Sequence, residues 1–153
     1  MKEFGFDGKF EYAYPIRASQ ISNDGSITSE GQLIDSSYGQ GEMLMNIVHL
    51  AATYSPILQD GIMMKPILFA DEKKGEVWKE DLVSVDHAKL MQTYLRAVIT
   101  DGFAEDANIK SLKISGKTGT AELKASKEGS GQENGFFVAY PTEKKDYILA
   151  MMM

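Results

Sequence analysis

The chain has 153 residues, 43% of them hydrophobic and 25% charged, which is typical of one water-soluble globular domain with a sizeable core. Its net charge is −6 and no basic run interleaves with aromatic residues, so we expect no nucleic-acid partner. No apolar run approaches the roughly 20 residues of a membrane span, and the absence of cysteine excludes disulfides, thiol catalysis and cysteine–zinc sites.

The first 32 residues show no sustained periodicity. They are rich in glycine, tyrosine and serine, and Asn-Asp-Gly at positions 23–25 is a strong turn signal. We therefore expect an irregular region with short strands at most, whose aromatic side chains pack rather than form a stacking platform.

A helix is predicted from Glu42 to about Leu58, because its apolar residues recur with the 3.6-residue period of a helix. Gln40 or Gly41 is the expected cap. Pro56 lies inside the pattern and predicts a kink or an early end near Ser55.

The two histidines, His49 and His87, lie far apart on predicted helices and lack the spacing of metal ligands. We expect no metal site and no cofactor. His49 is interpreted as a surface or boundary histidine rather than a catalytic base.

A small hairpin and a second helix follow. Residues 65–69 and 76–78 are predicted as extended arms around the turn at 71–75. The second helix is predicted at about residues 86–100, with Ser84 as its cap and with a stripe of apolar residues. The stripe consists of Leu90, Met91, Tyr94, Leu95, Val98 and Ile99.

The last third of the chain is predicted as an antiparallel set of strands. Residues 112–124 form the first strand, and the Lys-, Gly- and Ser-rich residues 125–134 form a flexible connection. Residues 135–140 and 146–153 are predicted as buried strands. Strands packed with two helices give an α+β fold class.

The segment at residues 114–122, Ile-Ser-Gly-Lys-Thr-Gly-Thr-Ala-Glu, is unusual for a core strand. It combines the cation of Lys117 with two hydroxyls, Thr118 and Thr120, which a strand places on one face. Gly116 and Gly119 predict close approach of another group to the backbone, and we expect that group to be anionic. The alternative is a strand end with a solvated lysine. A phosphate-binding P-loop is excluded, because the first glycine of that motif is missing.

This segment, extended to residue 124, closely resembles the third active-site motif of class B penicillin-binding proteins, the cell-wall transpeptidases. Residues 35–42, Asp-Ser-Ser-Tyr-Gly-Gln-Gly-Glu, resemble the Gly-Gln-Gly segment of that family, and residues 135–140 resemble its next sheet strand. The resemblance covers about residues 20–153 and is nearest to the low-affinity, methicillin-resistance-type subgroup. It implies part of the penicillin-binding, serine β-lactamase-like transpeptidase fold.

The resemblance implies acyl transfer on stem peptides that end in D-Ala-D-Ala, with β-lactams as substrate mimics. Lys117 would stabilise substrate charge and tune the proton relay of the family's second motif. Thr118 and Thr120 would bind the terminal carboxylate, and Gly119 would leave room for the substrate backbone. The backbone N–H of Thr120 would be an oxyanion donor, whose loss costs about 3–4 kcal/mol in comparable sites.

Two family elements are missing from the sequence. No serine is followed by lysine three positions later, so the Ser-x-x-Lys nucleophile is absent, and no Ser-x-Asn occurs. We expect both elements to precede Met1 in a complete protein. The chain also stops within the apolar run 147–153. Residues 1–153 are thus predicted to be the C-terminal portion of a transpeptidase domain, truncated at both ends and inactive alone.

Two alternatives stay open. One is a non-catalytic module that binds peptide carboxylates or muropeptides, and the other is a purely structural segment. The family resemblance implies a membrane-anchored parent at the extracytoplasmic face of the plasma membrane, while the segment itself is expected to be soluble. The uncharged run 147–153 predicts self-association through an exposed C-terminal strand.

Overall fold

A computed structural model describes residues 1–123 and 132–153. Within these residues the helices are α1 (Glu30–Ser37), α2 (Ile47–Leu58) and α3 (Val85–Thr100), with a 3₁₀ turn at Glu105–Ala107. The strands are β1 (Met63–Met64), β2 (Val77–Lys79), β3 (Ile114–Leu123), β4 (Gln132–Pro141) and β5 (Leu149–Met152). Helices packed on antiparallel sheets confirm the predicted α+β class.

Helix α1 was not predicted. The residues before it are irregular, as expected, but Ser29 caps the helix by accepting a hydrogen bond from the backbone N–H of Gln32. The side chain of Gln32 reaches back and accepts from the N–H of Thr28 at 2.9 Å. This exchange resembles a capping box, and the Ser-x-x-Gln spacing is the signal that predicts it.

The predicted start of α2 at Glu42 is wrong. Leu44 is held in an antiparallel bridge with Gln20, with N–O distances of 2.8 and 3.1 Å. The helix therefore begins at Ile47, and its cap is Asn46, not Gln40 or Gly41. The Asn46 side chain accepts from the N–H of His49 at 2.8 Å.

Of the predicted kink or early end of α2 near Ser55, the early end is wrong, because the helix continues through Pro56 to Leu58. Proline has no N–H to donate to the carbonyl of Ala52. The Ser55 hydroxyl supplies that donor instead, 2.7 Å from the same carbonyl. It also accepts from the N–H of Met64 at 3.1 Å, which ties the helix to β1.

The hairpin forms close to its predicted place. β1 and β2 pair antiparallel, with Met63 opposite Lys79, so the first arm lies two residues earlier than expected. The N–H of Lys65 still donates to the carbonyl of Glu76, which extends the pairing toward the turn.

Helix α3 confirms the predicted range and its Ser84 cap. Its predicted apolar stripe is only half right. The buried positions are Ala88, Leu95 and Ile99, which face the sheet and α2. Three predicted stripe residues are exposed instead: Leu90, Met91 and Tyr94.

The larger sheet has the order β3-β4-β5 and is antiparallel throughout. Its register places Lys117 opposite Val138, and Val138 opposite Ala150. α3 packs against β3, and α2 packs against both β5 and α3. The core lies between these helices and the buried residues near the C-terminal end of β4, which are Val138, Ala139 and Tyr140.

Strand β5 differs from the prediction of a buried strand at 146–153. It spans only Leu149–Met152, and Leu149, Met151 and Met152 are exposed. It lies at the edge of the sheet, and no other strand in the described part of the chain pairs with its outer side. The predicted flexible connection falls partly outside the described residues, while Gln132 continues the ladder opposite Leu123. None of the helices in the described ranges is both long and apolar enough to cross a membrane.

Candidate functional site

The Lys-Thr-Gly segment lies in β3, which forms one edge of the larger sheet, while β5 forms the other edge. β4 pairs with one side of β3, and no strand among the described residues pairs with the other side. Arg96 of α3 fixes the start of the strand by donating to the carbonyl of Ile114 and, at 3.4 Å, to the side chain of Asn108. A firmly anchored strand with an open edge can take an extended peptide by main-chain pairing.

The two glycines of the segment have different roles. A Cβ on Gly116 would lie 2.5 Å from the carbonyl oxygen of Val138, so this glycine is required by the close approach of β4. The expectation of an anionic group near both glycines is therefore wrong for Gly116. A Cβ on Gly119 would come no closer than 3.7 Å to a Phe136 atom, and Gly119 is exposed.

Lys117 is exposed, and its Nζ donates to the carbonyl of Thr118 at 2.6 Å. No carboxylate of the described residues forms an ion pair with it within 4.0 Å. The ammonium group therefore keeps its charge available to an anion from solution.

Thr118 and Thr120 lie on one face of β3, as predicted, opposite Phe137 and Gly135 of β4. Thr120 is exposed and Thr118 is half-buried. Alternation along a strand places Lys117 on the other face. A ligand that contacts all three side chains must therefore lie along the outer edge of β3, and not on either face of the sheet.

A pair of hydrogen-bonded hydroxyl groups at the start of β3 was not predicted from the sequence. Ser115 is fully buried, and its hydroxyl lies 2.8 Å from that of Thr142. Tyr140, the partner of Ser115 across the ladder, is also buried. The only available signal was a serine at a position where a core strand usually carries an apolar residue.

The Gly-Gln-Gly turn lies within electrostatic range of β3. The Tyr38 hydroxyl donates to Asp35 at 3.0 Å, and this bond and the Asp35 charge raise the pKa of Tyr38. The carboxylate of Glu122 on β3 also raises that pKa, although less. Gly39 and Gly41 have φ of 82° and 74°, a left-handed conformation that glycine adopts without strain.

Two grooves lie apart from the Lys-Thr-Gly segment. One of about 260 Å³ lies between residues 9–11 and the hairpin of β1 and β2, beside Phe10, Lys65 and Trp78. The other, of about 510 Å³, runs along α3 past Arg96 and Thr142. Within the described residues no group of three or more His, Asp or Glu side chains is placed to hold a metal ion.

Comparison with known proteins gives consistent matches. The family profile described as penicillin binding protein transpeptidase domain matches residues 1–153. Penicillin-binding protein 3 of Bacillus subtilis (strain 168) is 41% identical over 157 residues, which cover 100% of this chain and 23% of that protein. Penicillin-binding protein PbpB of Mycolicibacterium smegmatis is 21% identical over 172 residues, covering 100% of this chain and 26% of that protein. The chain thus spans about a quarter of the length of these relatives.

Solved structures show the same fold. The apo transpeptidase domain of Burkholderia pseudomallei penicillin-binding protein 3 matches with a TM-score of 0.79 and 18% identity, over 99% of this chain and 46% of that one. The D,D-transpeptidase domain of a peptidoglycan glycosyltransferase from Eggerthella lenta matches with a TM-score of 0.74 and 20% identity, over 99% and 40%.

Proposed function

The chain belongs to the family of penicillin-binding protein transpeptidase domains, and we propose that it is part of a peptidoglycan D,D-transpeptidase that cross-links stem peptides. In the complete enzyme a serine attacks the carbonyl carbon of the penultimate D-Ala, and the terminal D-Ala leaves as a free amine. An amine of a second stem peptide then takes the acyl group and releases the serine. β-Lactams acylate the same serine.

The observation that carries the proposal is the edge of β3, which pairs with no further strand of the described residues, beside Lys117, whose ammonium group has no carboxylate partner in the same part of the chain. A peptide that runs along this edge presents its terminal carboxylate to Lys117 and to the Thr118 and Thr120 hydroxyls. The N–H of Thr120 is an oxyanion donor, and Gly119 leaves the edge clear for the substrate backbone. Lys117 and Thr120 thus act in catalysis, while Thr118, Gly119 and Thr120 bind substrate.

The proposal assigns no catalysis to this chain alone. Its sequence contains no Ser-x-x-Lys, so it holds one wall of the site without the nucleophile. The complete protein is proposed to be anchored at the extracytoplasmic face of the plasma membrane, where its substrate is assembled, and to belong to the low-affinity resistance-type subgroup. A non-catalytic module that binds peptide carboxylates is the second candidate, and the lack of a nucleophile favours it for this chain by itself.

Mass spectrometry and NMR test the proposal together. After incubation with a reactive penicillin, the intact mass of the chain is expected to stay unchanged, because no activated serine is available. A stoichiometric mass gain on one serine would contradict this reading.

A peptide ending in D-Ala-D-Ala is expected to shift the backbone amide signals of residues 117–120, whereas its C-terminal amide is expected to leave them in place. Equal shifts with both peptides would show that Lys117 does not recognise the carboxylate.

The reading frame upstream of Met1 separates the transpeptidase from the non-catalytic binding module. A Ser-x-x-Lys in that frame supports the transpeptidase, and a gene that starts at Met1 supports the binding module.

A further inference from the structure

His49 is fully buried where the N-terminal segment (residues 1–22) meets α2 and the hairpin, which corrects the expectation of a surface histidine. Its Nδ1 lies 2.7 Å from the Ser19 hydroxyl, and its Nε2 lies 2.7 Å from the carbonyl oxygen of Phe4. A carbonyl only accepts, so Nε2 carries the proton and Nδ1 accepts from Ser19. The bond from Ser19 therefore requires a ring without a proton on Nδ1, whereas the bond to Phe4 forms with the neutral and with the protonated ring.

The surroundings of the ring are aromatic. Ring centroids of Phe6, Phe10 and Trp78 lie 5.1, 5.4 and 5.3 Å from that of His49. Burial lowers the pKa of His49 below its ordinary 6.5, and the hydrogen bond to Phe4 acts more weakly in the opposite sense.

Several charged groups near this cluster contact residues other than His49, and Lys2 and Glu3, which precede Phe4, are exposed. α2 carries no charged residue besides His49 itself. On the N-terminal segment the Asp7 carboxylate accepts from the N–H of Ile21 at 3.0 Å. On the facing segments the charged groups interact with one another or with Trp78: Lys9 with Glu11, Lys65 with Glu11 and Glu76, and Lys79 over the Trp78 ring. None of these contacts places a carboxylate against the imidazole, where it would stabilise the protonated form.

Protonation would change the Ser19 end of the cluster and leave the bond from Nε2 to Phe4 in place. Nδ1 would become a donor, so the Ser19 oxygen would have to accept and its own proton would need another acceptor. That oxygen already accepts from the N–H of Asn46 at 3.2 Å, and the Ser19 carbonyl accepts from the N–H of Asp7. A proton on His49 therefore disturbs the cap of α2 and the N-terminal segment together.

We propose that the hydrogen bond between Ser19 and the buried ring of His49 is an acid-sensitive latch that holds the N-terminal segment on α2 at neutral pH and releases it when His49 gains a proton. This device is independent of the transpeptidase assignment, because it uses no residue of the β3 edge. Since the closed form has the lower pKa, the open form takes the proton first. The latch is fully stable above pH 6.5 and weakens as the pH falls below that value.

Trp78 is the only tryptophan of the chain and touches the latch, so its fluorescence reports release. Between about pH 8 and about pH 4.5, its emission is expected to shift to longer wavelength, with a midpoint below 6.5. Glutamine donates and accepts like a neutral histidine but does not titrate, so His49→Gln is expected to abolish the shift. His87→Gln removes the other, exposed histidine and is expected to retain it.

A second measurement covers the case in which His49→Gln fails to fold. In His87→Gln a single imidazole ring signal is left for NMR, and its titration midpoint is expected below 6.5 and coincident with the emission change. A midpoint at or above 6.5, an emission that does not change with pH, or a shift that persists in folded His49→Gln would each overturn the latch.

Discussion

Replacing Tyr140 by phenylalanine is expected to stabilise the protein. The Tyr140 side chain is 1% exposed, and its hydroxyl has no hydrogen-bond partner among the described residues. Burial raises the pKa of Tyr140, and the nearby Ser115 hydroxyl acts on it in the opposite sense without reaching hydrogen-bond geometry. The hydrogen bond of Ser115 is with Thr142. The Tyr140 hydroxyl therefore loses its hydration on folding and gains no hydrogen bond from the described residues in return.

The magnitude follows from that loss. Burying a hydroxyl without a partner costs about 1–3 kcal/mol, and phenylalanine keeps the ring without leaving a cavity. We expect Tyr140→Phe to raise the free energy of unfolding by about 1 kcal/mol. In a chain of this size that raises the thermal midpoint by about 2–4 °C.

Thermal and urea unfolding, followed by far-ultraviolet circular dichroism, measure this effect. Tyr147→Phe is the matched control, because Tyr147 is 58% exposed and its hydroxyl is hydrated in both the folded and the unfolded protein. A loss of stability in Tyr140→Phe would refute the argument, since it would mean that the hydroxyl makes a favourable bond in the folded protein.

Two further predictions concern the cap of α2 and the edge of the sheet. Asn46→Ala removes the acceptor for the N–H of His49, and the free energy of unfolding measured in urea is expected to fall by about 1 kcal/mol; an unchanged value would show that the cap is dispensable. We also propose self-association through the outer edge of β5, where Leu149, Met151 and Met152 are exposed. Light scattering over a dilution series is expected to show dimers or larger assemblies that Leu149→Lys disperses, whereas a monomer at high concentration would contradict the proposal.

The sequence predicted the elements whose signals are local. The 3.6-residue period and Ser84 located α3 almost to the residue. The Lys-Thr-Gly segment was placed correctly in a strand because its β-branched and apolar residues flank two glycines that a strand tolerates.

The remaining features depend on tertiary contacts that no local pattern records. Because Leu44 forms a bridge with Gln20, α2 begins only at Ile47, although residues 43 and 44 fit its apolar period. His49 becomes buried because Phe4 and Ser19 fold back over it from far along the chain. The role of Gly116 was misjudged for the same reason, since the group that approaches it belongs to β4.

Acylation of the complete enzyme by a β-lactam, compared between wild type and Lys117→Ala, shows whether β3 is the substrate-binding edge. We expect a large fall in the acylation rate of Lys117→Ala with a thermal midpoint close to that of wild type, because substitutions of exposed residues usually change stability by no more than about 0.5 kcal/mol. Lys144→Ala, which removes another exposed lysine, is expected to leave both quantities unchanged. If Lys117→Ala unfolds at a much lower temperature while its folded fraction acylates normally, Lys117 is a structural residue and β3 is not the substrate-binding edge.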